Sequence, residues 1–159
     1  MQKIVPNLWF DTEAEEAANF YVSVFENARI LNVTHYTEAA PRQAGMVMTV
    51  EWELEGQRFV GINGGPQFKF DEAVSFQIEC KDQAEVDYYW EKLTADGGKE
   101  GQCGWVTDKY GLAWQVTPAG IDKLFADDDP ERGRRAMEAM LKMGKLDIAA
   151  LRAAAEGRR

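Results

Sequence analysis

Two side chains of this sequence are candidates for catalysis, the thiol of Cys103 and the carboxylate of Glu51. Cys103 lies in the string Gly-Gln-Cys-Gly-Trp at residues 101–105, between two turn-forming glycines. A catalytic thiol needs a lowered pKa and a nearby base, and the single histidine, His35, is distant in sequence. A structural role for Cys103 is therefore the favoured interpretation, and a nucleophile is the alternative.

Glu51 lies in a predicted strand, residues 46–54, in which apolar and polar side chains alternate. Successive side chains of a strand point to opposite faces, so Glu51 shares a polar face with Thr49 and Glu53. If this face lines a pocket, the carboxylate can serve as a general base.

Two helices with clear start signals must position these strands. Thr12 and Glu15 have the spacing of a capping box, in which the Thr12 hydroxyl accepts from the Glu15 amide. Asp82 and Glu85 repeat the spacing, and helical stripes of apolar residues follow both boxes.

The predicted elements form a weak internal repeat of strand, capped helix and hairpin. Strands at residues 4–10 and 74–80 precede the helices, and hairpins with the turn glycines Gly56 and Gly111 follow them. The capping boxes are offset by 70 residues and the hairpin glycines by 55, so the first copy is 15 residues longer.

The sequence accordingly divides into two modules, residues 1–66 and 67–120, and a helical tail, residues 121–159. In the tail, Asp129 precedes a proline and predicts a helix start. Asp147 predicts the cap of a last short helix.

Composition limits the classes of partner. The chain has 159 residues and a formal net charge of −9, and an acidic protein repels a phosphate backbone, so we expect no nucleic-acid partner. The basic residues of the tail alternate with acidic ones, which favours a solvated helix face over a nucleic-acid patch. No apolar run approaches the ~20 residues that span a bilayer, so we expect a soluble, cytoplasmic protein without a membrane partner.

Several short strings across the chain carry a family resemblance. They are LWF at 8–10, NFY at 19–21, GGP at 64–66, FKF at 68–70, DYYW at 87–90, GQCGW at 101–105, DKYG at 108–111, WQVTP at 114–118, AMEAML at 136–141 and KLDI at 145–148. Together they are similar to the PhnB-like branch of the vicinal oxygen chelate superfamily, which includes glyoxalases, dioxygenases and bleomycin-resistance proteins. That branch also carries the label 3-demethylubiquinone-9 3-methyltransferase.

The resemblance implies an α+β fold of two βαβββ modules with a C-terminal helical tail. In metal-dependent members of the superfamily, four strand residues chelate a divalent ion. Alignment by eye places these positions at Pro6 or Asn7, near Glu51, at Ser75 and at Gln115, and only Glu51 is a good ligand. Because tight sites use several charged or imidazole ligands, we expect neither a bound metal nor another cofactor.

The methyltransferase label has no support in the residues. Methyl donors such as S-adenosylmethionine are usually held at a glycine-rich turn between a strand and a helix. The first such turn here, Phe10-Asp11-Thr12-Glu13, has no glycine and two acids.

A ligand-binding cup can persist without the metal, with polar groups and aromatic walls supplied by inward-facing side chains. Tyr110 is a further candidate wall. The predicted ligand-binding residues are Asn7, Trp9, Glu51, Phe59, Gln77, Trp105 and Gln115. The alternative is that the polar members merely hydrogen-bond to each other.

The leading functional hypothesis is a metal-free small-molecule-binding protein that forms a homodimer. The second is an enzyme, a lyase, isomerase or dioxygenase with an unusual metal or with Glu51 as general base. The third is a ferredoxin-like interaction domain, which predicts two strands between the two module helices where the leading hypothesis predicts four.

Overall fold

A computed structural model describes residues 2–158 and divides the chain into two compact units, Met1–Phe70 and Asp71–Arg159. The strands are β1 (Asn7–Phe10), β2 (Ala28–His35), β3 (Val47–Leu54), β4 (Gln57–Asn63), β5 (Ser75–Cys80), β6 (Lys99–Glu100), β7 (Trp105–Thr107) and β8 (Ala113–Pro118). The α-helices are α1 (Ala14–Val24), α2 (Gln83–Thr94), α3 (Ile121–Phe125), α4 (Pro130–Met140) and α5 (Ile148–Ala155), and a 3-10 turn, Ala95–Gly97, follows α2.

Each unit contains one βαβββ module with a four-stranded sheet, in strand orders β1-β4-β3-β2 and β5-β8-β7-β6, and the second unit also contains α3, α4 and α5. The first and last strands of each unit are parallel neighbours, and the remaining neighbours are antiparallel. Four strands separate α1 from α2, which excludes the ferredoxin-like alternative. The predicted α+β fold of two βαβββ modules with a helical tail is confirmed.

The internal repeat extends to the strand register. Phe10 pairs with Asn63 in the first sheet, and Cys80 pairs with Pro118 in the second. The 70-residue offset relates the first members of these pairs, and the 55-residue offset relates the second members. The same pairing therefore occurs twice, with the extra residues of the first copy lying between its helix and its last strand.

One face of each sheet packs against the helix of its own unit. In the first unit, Trp52 is fully buried and its ring stacks between those of Tyr21 of α1 and Phe59 of β4. In the second, Val106 and Val116 are buried beneath α2. The other face of each sheet is called its open face below.

The two helices begin differently. The predicted Thr12 cap is wrong, because α1 begins at Ala14 and the Asn63 side chain at the end of β4 accepts from the Ala14 amide at 2.9 Å. The Asp82 cap is confirmed, since its carboxylate accepts from the Glu85 amide at 2.9 Å.

In the tail, the predicted caps Asp129 and Asp147 both accept a backbone hydrogen bond at the start of their helices. Two predicted strands are shorter than expected: β1 begins at Asn7, and β5 begins after Val74, which is 64% exposed. None of the helices between residues 2 and 158 is both long and apolar enough to cross a lipid bilayer.

Candidate functional site

Strand register decides which predicted site residues share a face. In the first sheet Asn7 pairs with Val60, and Val60 with Glu51. Directly paired residues project from the same face, so Asn7, Glu51 and likewise Trp9 lie on the open face. Phe59 pairs with Trp52 and is buried on the helix face. The structure therefore does not bring Phe59 together with Glu51.

Glu51 is held by a neighbour across the hairpin. Its carboxylate lies 3.1 Å from Nε of Arg58, and both side chains are partly exposed. Beside this pair on the open face, the Glu53 carboxylate accepts from Arg29 at 3.2 Å. Acidic groups of this face are thus matched by basic ones.

Trp9 is covered by the segment that ends the first unit. Its indole N–H donates to the Gly65 carbonyl at 2.9 Å, and its ring meets that of Phe68 edge to face at 5.0 Å. A Cβ at Gly64 would lie only 2.2 Å from the indole ring. Trp9 therefore anchors the 64–68 segment, and this contact accounts for its position without a ligand.

In the second sheet the predicted polar residues bond to their neighbours. The Gln115 amide donates to the Ser75 hydroxyl at 2.9 Å, and the Gln77 amide donates to Thr117 at 3.1 Å. All four side chains lie on the open face by register. This arrangement is the one that the alternative interpretation of the polar residues predicts.

A largely open cavity of about 310 Å³ lies in the second unit. Trp105, which pairs with Gln115, forms part of its wall. Its lining consists of Glu72, Gly101, Gln102, Trp105, Val106 and Thr107. Of the predicted ligand-binding residues only Trp105 lines it, whereas sequence reasoning missed Glu72, Gln102 and Thr107.

Local turns fix the position of Trp105. The Gly101 amide donates to the Trp105 carbonyl at 2.9 Å, and the Trp105 amide donates to the Gln102 carbonyl at 3.0 Å. A Cβ at Gly101 would lie 2.8 Å from that Trp105 carbonyl, so the close approach requires glycine. The tryptophan is thereby held at the start of β7.

The two cysteines occupy different environments. Cys103 is half-buried and has a left-handed backbone, with φ of +58°, in the turn before Trp105. Its amide donates to the Met143 carbonyl at 2.8 Å. Cys80 is buried on the helix face, where burial, then the nearby carboxylates of Glu85 and Asp82, raise the pKa of its thiol to about 12.

Asp108 organises the hairpin between β7 and β8. One carboxylate oxygen accepts from the amides of Tyr110 at 2.9 Å and Leu112 at 3.1 Å, and the other accepts from the Trp114 indole at 2.9 Å. Asp108 is only 2% exposed. The Asp-Lys-Tyr-Gly string is therefore structural, and Tyr110 belongs to this turn and not to the cavity lining.

The residues at the aligned metal positions do not fit a divalent ion. Ser75 and Gln115 bond to each other, and Asn7 donates its amide to the Val5 carbonyl at 3.0 Å. The 55-residue offset of the repeat places Val60, and not Glu51, at the position of the first unit that is equivalent to Gln115. Among residues 2–158, no group of three or more His, Cys, Asp or Glu side chains is arranged to hold a metal ion.

The first strand-to-helix turn is closed by an arginine. The Arg42 guanidinium donates to the Asp11 carboxylate at 3.2 Å and to the Asn63 carbonyl at 3.3 Å. Neither sheet is doubly wound or wholly parallel. Within residues 2–158, neither unit has the doubly wound sheet on which methyl-donor binding usually depends.

Comparisons with known proteins agree with this fold. The sequence profile of the 3-demethylubiquinone-9 3-methyltransferase family matches residues 2–117. A Bacillus cereus PhnB protein, itself only provisionally described as a 3-demethylubiquinone-9 3-methyltransferase, is 35% identical, with a TM-score of 0.67 over 74% of this chain and 100% of its own.

More distant structures share the fold alone. The Pseudomonas aeruginosa protein PA1353 is 18% identical, with a TM-score of 0.59 over 72% of this chain and 95% of its own. The Listeria monocytogenes fosfomycin resistance protein FosX is 15% identical, with a TM-score of 0.51 over 77% and 94%. No protein with curated annotation matches the chain. With its matched profile, its repeated βαβββ units and its 35% identity to PhnB, the chain belongs to the 3-demethylubiquinone-9 3-methyltransferase family, the PhnB-like branch of the vicinal oxygen chelate superfamily.

Proposed function

We propose that this protein binds a small molecule in the cavity beside Trp105 and that binding requires no metal ion. The cavity is the observation that carries the proposal, because its volume of about 310 Å³ lies in the ordinary range for ligand pockets. Trp105 offers a broad apolar ring for stacking. The Gln102 amide, the Thr107 hydroxyl and the Glu72 carboxylate offer polar contacts that orient a ligand.

Charge favours a neutral or cationic ligand. Among the described residues that line the cavity, Glu72 alone is charged, and an aromatic face beside a carboxylate attracts cations. Lys99 is exposed and pairs with Thr107 at the neighbouring strand, so the local charge is mixed. The net charge of −9 nevertheless disfavours the approach of anions.

A titration with three compounds that share a benzyl or phenyl group tests this proposal. The protein is labelled with 5-fluorotryptophan, and its Trp105 fluorine resonance is assigned from the spectrum of Trp105→Phe. We expect benzylamine and benzyl alcohol to shift this resonance saturably, and benzoate to have a weaker effect. The exposed Tyr88 of α2 provides a control, since Tyr88→Leu should titrate like the parent. If none of the three compounds moves the Trp105 resonance, the proposal fails.

The metal-free part of the proposal rests on the donor set. Two of the aligned positions are engaged with each other as hydroxyl and amide, and neither group is a strong ligand for a divalent ion. Native mass spectrometry after exposure to zinc, nickel, manganese or iron(II) should therefore show no stoichiometric metal. We further propose that the protein is a homodimer, which the same spectra would show as twice the mass of one chain.

The enzymatic alternative depends on Glu51. No contact of Glu51 favours catalysis over binding alone, because the Glu51 carboxylate is already paired with Arg58. Glu51→Gln should leave the benzylamine titration unchanged, since Glu51 does not line the cavity. A turnover that is present in the parent and lost in Glu51→Gln, with binding intact, would support catalysis instead. The methyl transfer named in the family description forms no part of the proposal.

A further inference from the structure

Residues 143–148, called the strap below, run from the connection after α4 to the first residue of α5 and lie against the turn that precedes Trp105. The carbonyl of Met143 accepts from the Cys103 amide at 2.8 Å, and that of Gly144 accepts from the Gly104 amide at 2.9 Å. Two backbone hydrogen bonds therefore join the strap to the 101–104 turn. The strap lies beyond residue 117, where the match to the family profile ends.

Two side chains of α2 fasten the strap, Gln83 through the backbone of the strap and Asp87 through Lys145. The amide of Gln83 donates to the Leu146 carbonyl at 3.0 Å, and its oxygen accepts from the Ile148 amide at 2.8 Å. Gln83 also donates to the Asp87 carboxylate at 3.0 Å, which in turn lies 2.8 Å from Nζ of Lys145. These hydrogen bonds, first that from Lys145 and then that from Gln83, hold the pKa of Asp87 below its usual range.

The turn depends on such external support. Cys103 has φ of +58° and Gly104 has φ of +86°, and a non-glycine residue in the left-handed region is strained because its Cβ crowds the following carbonyl oxygen. Gly104 is also closely packed, because a Cβ there would lie 2.9 Å from the Val116 carbonyl and 3.1 Å from the Leu146 side chain. Leu146 itself is fully buried. A strap that moved would leave two turn amides without partners and the strained residue unsupported.

The same turn forms one wall of the cavity. Gly101 and Gln102 line it, and Trp105 follows directly. We propose that the strap positions this wall, with Gln83 as the positioning residue, so that ligand binding and strap docking are coupled. This inference rests on the proposed function. Coupling between two sites is reciprocal, so a ligand in the cavity should also stabilise the docked strap.

Gln83→Ala tests the coupling, because it removes the hydrogen bonds of the Gln83 side chain to the strap without touching the cavity lining. We expect amide hydrogen exchange at Cys103 and Gly104 to accelerate at least tenfold, while exchange at Gly111, in the neighbouring hairpin, stays unchanged. The Kd for benzylamine, followed at the Trp105 fluorine resonance, should rise at least threefold. In the parent protein, saturating benzylamine should slow exchange at Cys103 and Gly104.

Two controls keep the outcome interpretable. Gln57→Ala removes an exposed glutamine of the first unit and should change neither readout. If Gln83→Ala fails to fold, Lys145→Met removes only the exposed ion pair to Asp87. It should also accelerate amide exchange at Cys103 and Gly104 and raise the Kd for benzylamine, each by a smaller factor than Gln83→Ala.

Separate results would overturn the inference and the proposed function. Faster exchange at Cys103 and Gly104 with an unchanged Kd for benzylamine would make the strap purely structural, and the proposed function would survive. If the parent binds none of the three compounds, the proposed function fails and the coupling fails with it, even where the exchange rates still respond to Gln83→Ala.

Discussion

The two units repeat one backbone pattern but start their helices by different means. Asn63 in the first unit and Pro118 in the second hold equivalent positions, each paired with the last residue of the first strand. Asn63 is 2% exposed and caps α1 from the end of β4, 49 residues away in sequence. Proline offers no such side-chain acceptor, and α2 has its own cap, Asp82. The backbone register is thus repeated although the side-chain interactions that support it are not.

The hairpins differ in the same way. In the first unit a two-residue turn at Glu55-Gly56 links paired residues Leu54 and Gln57. In the second the loop is longer and is organised by the buried carboxylate of Asp108. The first unit therefore depends on Asn63, a side chain distant in sequence, at the start of its helix. The second unit depends on the buried carboxylate of Asp108 in its hairpin.

Asp108→Ala should have the largest effect. Three buried or part-buried donors lose a charged acceptor, and hydrogen bonds to charged groups contribute about 1.5–3 kcal/mol each. We expect a loss of about 3–5 kcal/mol in the free energy of unfolding, measured by urea denaturation with tryptophan fluorescence. An unchanged urea midpoint would show that the second hairpin does not need its buried charge.

Asn63→Ala should have a somewhat smaller effect, in the first unit. The Ala14 amide loses its acceptor, and the Val47 carbonyl loses a donor at 3.0 Å. Each unsatisfied buried group costs about 1–3 kcal/mol, so we expect a loss of about 2–4 kcal/mol. Pro118→Ala is the matched control in the second unit and should cost less than about 1 kcal/mol. Equal losses for the two variants would contradict the comparison.

The helix caps of the two units give the smallest expected effects and the most direct comparison between the units. Asp82→Ala removes a helix cap and should cost about 1 kcal/mol. Thr12→Ala, at the equivalent sequence position, should change the free energy of unfolding by less than about 0.5 kcal/mol, because Asn63 and not Thr12 caps α1. Parallel urea curves for the two variants measure the difference. A larger loss for Thr12→Ala than for Asp82→Ala would reverse this interpretation.

Much of the fold follows from local sequence signals. The offsets of 70 and 55 residues predict the repeated register, and the caps at Asp82, Asp129 and Asp147 depend on neighbouring residues alone. The Thr12 cap is wrong for a physical reason. Asn63 lies 49 residues from Ala14 in sequence, and only the folded sheet brings its side chain to the start of the helix.

The candidate site was harder to predict. The position of Phe59 could have been found, because a two-residue turn at Glu55-Gly56 already pairs it with Trp52. Gln102 lies in the Gly-Gln-Cys-Gly-Trp string at residues 101–105, so the sequence did contain a signal for this residue. Glu72 gave none, since it stands in the irregular segment of the second unit before β5 and enters the cavity lining only through the fold.

The contrast between the two cysteines makes the protein suitable for selective chemical labelling. Burial raises the pKa of the Cys80 thiol to about 12, so this cysteine stays protonated at neutral pH, and the thiolate is the reactive form. Its sulfur is also enclosed by the core. A maleimide dye should therefore attach at Cys103 alone, two residues from Trp105, and report on the cavity wall without any engineered site.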